Sequence, residues 1–229
     1  MAQADMTAGF AGRLNTLSIR SKLTAAFFVL LALIGTVGFV AVDRFSTMNT
    51  MVSDIDDNYL MSLVYLDDMR ASAMEYRANL TRAFIAAKDA EQRAAVEKRL
   101  GEIVAEYGKA DAKYAPTVSA PEETALYGEV KKQWGAYVDH ATVVMNMLRD
   151  GKVDDATAYM VKETVPTGSA LAAALKKDVD FNAATAIKIA GQIAQAYSSG
   201  RDTILILVGV AVMLAVGAGY MLAPGITTP

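Results

Sequence analysis

The chain contains no cysteine, and this absence removes several kinds of site at once. Disulfide frameworks, thiolate zinc sites, covalently attached c-type haem and cysteine nucleophiles are all excluded. Histidine occurs once, at His140, and a single histidine cannot build a zinc or haem site unaided. We therefore expect no metal and no cofactor, and we expect His140 to have a structural or aromatic-pocket role.

Catalytic patterns and clustered positive charge are also missing. The sequence shows no Ser/His/Asp constellation, no glycine-rich phosphate loop and no acidic dyad in a plausible cleft. Its 22 Lys and Arg residues are balanced by 25 Asp and Glu residues and form no dense patch that could neutralise a phosphate backbone. The sequence therefore predicts a protein that is not an enzyme and does not bind nucleic acid.

Two long stretches, residues 23–42 and 203–223, contain no charged residue. At about 1.5 Å per residue, roughly 20 helical residues match the hydrocarbon thickness of a bilayer. The first stretch is longer than the apolar region of a signal peptide, and no good small-x-small cleavage site follows it. We therefore predict two transmembrane helices, the second bounded by Arg201 and Asp202 before it and by Pro224 and Gly225 after it.

The orientation follows from the charges beside the first span. Arg13, Arg20 and Lys22 precede it, whereas acidic residues dominate the stretch that follows. Because basic residues favour the cytoplasmic side, residues 1–22 are predicted to be cytoplasmic. Residues 43–202 then lie outside the membrane, in the periplasm if the cell has an outer membrane, and residues 224–229 return to the cytoplasm.

The outer segment has the apolar periodicity of helices. Its apolar residues recur at three- and four-residue steps, and only three prolines interrupt it. The first stripe continues from the first span without a breaker, and the fourth runs on into the second span. We predict an all-α membrane protein whose extracytoplasmic part is an up-down-up-down four-helix bundle with its axis along the membrane normal. Four polar residues in the seams indicate either a loosely packed, dimerising half or fixed helix register: Asn58, Ser62, Asn182 and Gln192.

Local signals place the ends of the middle helices. Asp89 with Gln92 resembles an N-cap and its reciprocal partner at the start of the second helix, which Pro116 ends. Ser119 with Glu122 repeats the pattern at the third helix, where Pro121 falls in the first turn. Two further signals concern the fourth helix: Asp150–Gly151 predicts the tight corner before it, and Pro166 predicts a kink or break in its first third.

Several short motifs resemble those of a known receptor family. The string at residues 17–23, LSIRSKL, resembles the opening of methyl-accepting chemotaxis receptors and related sensor kinases. Trp134 and Tyr137, followed by LRDGK at residues 148–152 and Ala156, resemble the corner between the third and fourth helices of chemoreceptor sensor domains. Residues 225–229 resemble the first residues of a HAMP linker, although Pro224 replaces the more usual basic or polar residue.

The resemblance implies a function. It indicates a homodimeric chemoreceptor of the bacterial inner membrane that senses a small extracytoplasmic ligand and signals through the second span for chemotaxis. A cytoplasmic kinase and adaptor would be engaged only through residues absent from this chain. The alternative is that the same input domain serves a histidine kinase or a diguanylate cyclase.

The resemblance also implies a ligand site. In the family, arginines on the outer half of helix one bind the carboxylate of amino acids or organic acids together with polar groups on helix four, a task that suits a guanidinium fork. Arg70 and Arg77 lie seven residues apart at one margin of the apolar seam, and Arg82 follows one turn further on. Thr164 and Thr167 are the expected partners on helix four.

Each candidate has a plainer interpretation. The arginines could instead form surface ion pairs with nearby acidic residues, each worth about 0–1 kcal/mol. Tyr76, Trp134 and Tyr137 could line a pocket, but aromatic residues at helical spacing are more often simple core.

Overall fold

The computed structural model of the protein describes the backbone of residues 18–227 and the side chains of residues 18 and 20–220. The described residues are almost entirely helical and include no strand. The predicted all-α fold is therefore confirmed. Arg13, Leu17 and residues 228–229, which entered the predictions above, lie outside the described residues. The helices are α1 (Ile19–Asp54), α2 (Met61–Ile85), α3 (Ala90–Tyr114), α4 (Pro121–Arg149), α5 (Val153–Tyr159) and α6 (Val165–Thr227).

Two π-helical turns keep the first and last helices continuous. Ile55–Leu60 joins α1 to α2, and Met160–Thr164 joins α5 to α6. The uninterrupted first helix is thus confirmed. Of the kink or break predicted near Pro166, the break is wrong, because α6 runs through the proline, whereas a π turn interrupts the α-helix just before it. The π turn directly precedes Pro166, and its wider backbone accommodates the missing N–H donor and the ring without ending the helix. Helix α6 also continues past Pro224 and Gly225 to Thr227.

The chain divides into two compact units, and the first contains residues 18–51 and 191–227. Here Gly200 is buried against Arg44: a Cβ atom at residue 200 would lie 3.5 Å from Arg44 Cγ. Large apolar side chains elsewhere in this unit are exposed, including Phe28, Phe39 and Ile206. Both long helices are apolar enough to cross a membrane, as far as length and composition decide.

The second unit, residues 52–190, is a four-helix bundle formed by α2, α3, α4 and the α5–α6 arm. Consecutive helices run antiparallel and are joined by short connections, as an up-down-up-down bundle requires. Complete burial stabilises each large aliphatic side chain of the core by about 1.5–3 kcal/mol. Of the polar residues predicted in the seams, Ser62 and Asn182 are buried and Asn58 is half-buried, whereas Gln192, which belongs to the first unit, is exposed. The fully buried aliphatic residues include Leu66, Leu80, Ile103, Val130, Val144, Leu148 and Leu175.

The caps of α3 and α4 test the local sequence signals. Asp89 caps α3, because its Oδ1 accepts the N–H groups of Glu91 and Gln92 at 3.0 and 3.1 Å. The N-cap prediction is therefore confirmed. Gln92 does pair with Asp89, but through the Asp89 side chain at 2.9 Å, since the Asp89 N–H donates to the carbonyl of Ala86.

The capping prediction at α4 is wrong by one residue. The N-cap is Ala120, which has no capping side chain, and the carboxylate that reaches back belongs to Glu123 rather than Glu122. Glu123 Oε2 accepts the N–H of Ser119 at 3.1 Å. Pro121 explains the shift, because its fixed φ favours the first helical position and thereby sets the frame of the turn.

The corner after α4 forms as the sequence predicts. Gly151 has a φ of 75°, a conformation that glycine adopts without steric cost. The N–H of Lys152 donates to the carbonyl of Met147 at 2.9 Å, and that of Gly151 donates to Leu148 at 3.2 Å. This pair of bonds is a Schellman motif, and it turns the chain back along α4.

Candidate functional site

A shallow groove of about 60 Å³ lies between α2 and α6. Arg70 and Arg77 of α2 line it on one side, Gly168 of α6 lies opposite, and Tyr137 of α4 closes it. Both arginines fall at the margin of the core because each follows a buried residue, Met69 or Tyr76, on the same helical face. The remaining lining is apolar: Ala73, Met74, Leu171, Ala172 and Leu175.

The two arginines differ in their electrostatic partners. Arg70 Nη2 lies 2.9 Å from Asp67 Oδ1, and both side chains are more than half exposed. Arg77 forms no ion pair with the side chains that the structure describes. The nearby Glu75 instead binds Arg99 at 2.8 Å. Of the two arginines that line the groove, Arg77 is therefore the one without an acidic partner among the described side chains.

The other predicted site residues lie outside the groove. Arg82 is exposed and its Nη1 donates to Asn79 Oδ1 at 3.4 Å. Thr167 Oγ1 donates to the carbonyl of Glu163 at 2.7 Å. Thr164 is buried, and its Oγ1 has no hydrogen-bond partner among the described residues. On α6, the groove is thus formed by Gly168 and its apolar neighbours rather than by the two threonines.

Gly168 is a residue that sequence reasoning missed. A Cβ atom at this position would lie 2.9 Å from Tyr137 Cε2, so the glycine makes room for the aromatic ring. The available signal was a glycine inside a helical pattern, just after Pro166, which often marks a close approach between elements. Sequence periodicity alone does not identify the partner in that approach.

The predicted aromatic residues form one cluster in the bundle core. Trp134 stacks on Tyr107 with ring centroids 3.8 Å apart, and Tyr76 packs edge-on against Trp134 and Tyr137 at 5.5 and 5.7 Å. Burial raises the pKa of Tyr76 to about 12. Burial also raises the pKa of Tyr137, whereas the positive charge of Arg77 opposes that shift. Tyr76 and Trp134 therefore pack in the core and do not line the groove, whereas Tyr137 does both.

The arrangement can bind a small anion. A guanidinium offers five N–H donors in a fork that matches a carboxylate, and the apolar side chains of the groove can pack against the stem of such a ligand. The volume is far below the roughly 300–1,000 Å³ of a pocket for a drug-sized ligand. Only a small group, such as a carboxylate with a short stem, fits inside.

Two other features lie in the bundle. A wider groove of about 430 Å³ between α4 and α6 has a floor of alanines and Leu126, flanked by Glu122, Glu129 and Lys177. His140 Nδ1 lies 2.8 Å from Tyr159 Oη, which ties α4 to α5. Within the part of the chain that the structure describes, no group of three or more acidic or histidine side chains is arranged to hold a metal ion.

Comparison with known families identifies the class of protein. Residues 16–197 match the family described as a four-helix-bundle sensory module for signal transduction. The chain belongs to this family, the sensory module of chemoreceptors of the methyl-accepting type. The resemblance noted in the sequence is thus confirmed, and the matched module is a sensory domain and not an enzyme domain. No curated protein matches the chain.

Proposed function

We propose that this chain is the sensory part of a transmembrane chemoreceptor of the bacterial inner membrane. Residues 23–42 and 203–223 cross the membrane, residues 1–22 are cytoplasmic, and residues 43–202 form the sensor domain in the periplasm. Membership of the sensory family and two long apolar helices with exposed apolar side chains support this arrangement. Exposed apolar surface of this kind is costly in water and favourable in lipid.

The ligand in this proposal is a small carboxylate, an amino acid or an organic acid. The observation that carries it is the position of Arg77, which lies in the groove with no acidic partner and opposite the helix that continues to Thr227. A carboxylate bound there would supply the missing negative charge. Arg70 is the second donor, since its pairing with exposed Asp67 is worth only about 0–1 kcal/mol and is easily exchanged.

The groove suggests how binding produces a signal. Its walls belong to α2 and α6, so a ligand that contacts both helices favours one of their possible packings. A displacement of about 1–2 Å is sufficient, because packed helices switch between discrete arrangements. The coupling requires the ligand to prefer one packing by about 1–3 kcal/mol.

The functional unit in this proposal is a homodimer that pairs along α2. Val64, Ala71, Ala78 and Ile85 are spaced seven residues apart and are all exposed. Met74, between them, is 67% exposed, and Ile85 is 83% exposed. A repeat of seven in a helix is the spacing at which two identical helices bury a common seam. A second copy of this chain is therefore the partner that this face fits.

The output in this proposal is chemotaxis, through a cytoplasmic kinase and adaptor. The family match favours this output, because the module is that of chemoreceptors. A histidine kinase or a diguanylate cyclase carrying the same input domain remains the alternative.

Calorimetry on the full chain in lipid nanodiscs tests the ligand proposal. Amino acids and organic acids are titrated into the wild type, into Arg77→Ala, and into Arg82→Ala as a matched control outside the groove. Because a hydrogen bond to a charged group is worth about 1.5–3 kcal/mol, Arg77→Ala should weaken binding roughly 10- to 150-fold. Arg82→Ala should bind like the wild type. Failure of every acid to bind the folded wild type, or equal binding by both variants, would overturn the proposal.

A further inference from the structure

A second polar cluster lies inside the bundle, away from the arginine groove. Asp178 of α6, Glu123 of α4 and Tyr114 of α3 are all fully buried. Tyr114 Oη lies 2.7 Å from Asp178 Oδ1 and 3.2 Å from Glu123 Oε1. One hydroxyl therefore contacts two carboxyl groups that belong to two different helices.

The number of protons in this cluster decides its stability. A tyrosine hydroxyl has one proton and can donate to only one of the two carboxyl oxygens. If both carboxyl groups were charged, the hydroxyl could donate to one of them, and its oxygen would then face a lone pair of the other carboxylate with no proton between them. A proton on Asp178 completes the chain, since Asp178 then donates to Tyr114 Oη, and Tyr114 donates to Glu123 Oε1.

Other contacts show which carboxyl group holds this proton. Glu123 lies in the first turn of α4, and its Oε2 accepts the N–H of Ser119, so its negative charge is stabilised. Asp178 Oδ2 is buried and has no hydrogen-bond partner among the described residues. An unpaired carbonyl oxygen of a neutral acid costs much less to bury than an unpaired carboxylate oxygen. Asp178 is therefore the proton carrier.

Among the described side chains, no cation pairs with either carboxyl group in place of the proton; the nearby Lys131 Nζ lies over the ring of Tyr127, 5.3 Å from its centroid. Neither carboxyl group forms an ion pair with the described side chains, and Lys176 and Lys177 beside Asp178 are exposed. The other ionisable groups that face the cluster are acids or phenols. They are Tyr59 of the turn between α1 and α2, Asp111 of α3, and Tyr127 of α4, whose hydroxyl donates to Asp111 at 2.8 Å.

Asn182 joins Asp178 to the same cluster from one turn further along α6. Its Nδ2 donates to the Asp178 carbonyl at 3.0 Å and lies 3.3 Å from Asp178 Oδ1 and 3.4 Å from Tyr114 Oη. Its Oδ1 is buried without a partner among the described residues. Asn182 thus connects two successive turns of α6 to the hydroxyl group of Tyr114 on α3.

We propose that Asp178, Tyr114 and Glu123 form a proton-sensing element that links the packing of α6 against α3 and α4 to the pH of the medium. With the proton present, the three side chains hold the helices together. When the proton leaves to water, two buried negative charges face one hydroxyl, and repulsion moves α6 away from α4. Burial raises the pKa of Asp178 to about 6; the hydrogen bond with Tyr114 opposes this shift, and the charge of Glu123 adds to it, so the change falls in a physiological range.

Infrared spectroscopy and spin-label distances on the full chain in nanodiscs test this proposal together. The C=O stretch of a protonated carboxylic acid reports the proton, and the scan extends about two pH units either side of the pKa of Asp178. Spin labels on Lys132→Cys and Ala184→Cys, both exposed, report the separation of α4 and α6, since the natural chain has no cysteine. The variants are Asp178→Asn and, as the exposed control on the same helix, Asp180→Asn.

In the wild type, the acid band should disappear near pH 6, and the label distance should change by about 1 Å over the same range. Asp178→Asn should lack the component of the acid band that titrates near pH 6 and retain only the signal of carboxyl groups with ordinary pKa values, which disappears at lower pH. It should also keep the low-pH distance throughout, because its amide can donate to Tyr114 as the neutral acid does. Asp180→Asn should match the wild type. If Asp178→Asn does not fold, Glu123→Gln should shift the titration to lower pH by removing the neighbouring charge.

Three outcomes would overturn the proposal. They are a wild type with no acid band that titrates in this range, an unchanged titration in Asp178→Asn or in a folded Glu123→Gln, and a titration that leaves the label distance constant. None of these depends on whether a carboxylate binds the arginine groove.

Discussion

The ring of Tyr137 occupies the space that a side chain at Gly168 would need: a Cβ atom there would lie 2.9 Å from Tyr137 Cε2. The ring cannot move aside freely, because it is buried and packs against Tyr76. This contact between α4 and α6 closes the groove that contains Arg77. The close approach of the two helices therefore depends on glycine at residue 168.

Gly168→Ala should lower the stability of the bundle. Overpacking a core typically costs about 1–3 kcal/mol, more than the roughly 0.5–1 kcal/mol that alanine gains over glycine inside a helix. Gly108→Ala is the matched control, since nothing lies within 4 Å of its Cβ position and the change should stabilise the protein. Thermal unfolding of both variants, followed by circular dichroism, checks the opposite signs. A stabilised Gly168→Ala variant would show that the ring of Tyr137 can move to accommodate the added methyl group without a loss of stability.

Asp89→Ala should destabilise the protein by about 1 kcal/mol, because the first-turn N–H groups of α3 lose their acceptor. Ser119→Ala should change stability by less than about 0.5 kcal/mol, since Ser119 is exposed and contributes its backbone N–H, not its side chain, to the start of α4. Unfolding of the two variants in urea provides the comparison. Equal losses would contradict the placement of the α4 cap at Ala120.

The pH dependence of stability should differ between the wild type and Asp178→Asn. The folded protein holds the Asp178 proton up to about pH 6, whereas a carboxyl group with the ordinary pKa of 3.8 loses it earlier. The unfolded state therefore binds fewer protons between these values, so the contribution of Asp178 to stability decreases as pH rises through this range. The ordinary and raised pKa values of Asp178 set a window from about pH 4 to pH 6. As pH rises through this window, the melting temperature of Asp178→Asn should increase relative to that of the wild type. If the melting temperatures of the two proteins differ by a constant amount across this pH range, the assignment of the proton to Asp178 is wrong.

Single cysteines on the exposed face of α2 should cross-link two copies of the chain. Ala71→Cys and Ala78→Cys lie on the seven-residue repeat, whereas Ala105→Cys is exposed on α3. Oxidation in membranes should give rapid dimers for the first two variants and slow dimers for the third, as resolved on non-reducing gels. Equal rates at all three positions would place the contact between copies elsewhere.

The sequence predicts the features that depend on nearby residues. Asp89 and Gly151 could be assigned because a cap and a left-handed corner are determined within a few residues. The prediction at Ser119 was wrong by one residue because Pro121 sets the frame of that helix. The irregularity predicted near Pro166 takes the form of a π turn rather than a break, and no composition rule distinguishes the two.

Only the α2 side of the arginine groove could be predicted from the sequence. The spacing of Arg70 and Arg77 places them together on α2, and the structure shows both in the groove. The opposing residue depends on how α6 is rotated and shifted against its neighbours, which helical periodicity does not determine. The same holds for Tyr114 and Asp178, which are 64 residues apart in sequence but 2.7 Å apart at their oxygens.

The proposed receptor topology requires the bundle to lie outside the membrane and the two apolar helices to cross it. The natural chain has no cysteine, so Ala105→Cys in the bundle and Ser21→Cys before the first span each introduce one exposed thiol. A membrane-impermeant maleimide applied to cells with a permeabilised outer membrane and an intact inner membrane should label residue 105, and residue 21 only after the inner membrane is opened. Labelling of residue 21 first, with residue 105 protected until lysis, would contradict the receptor topology.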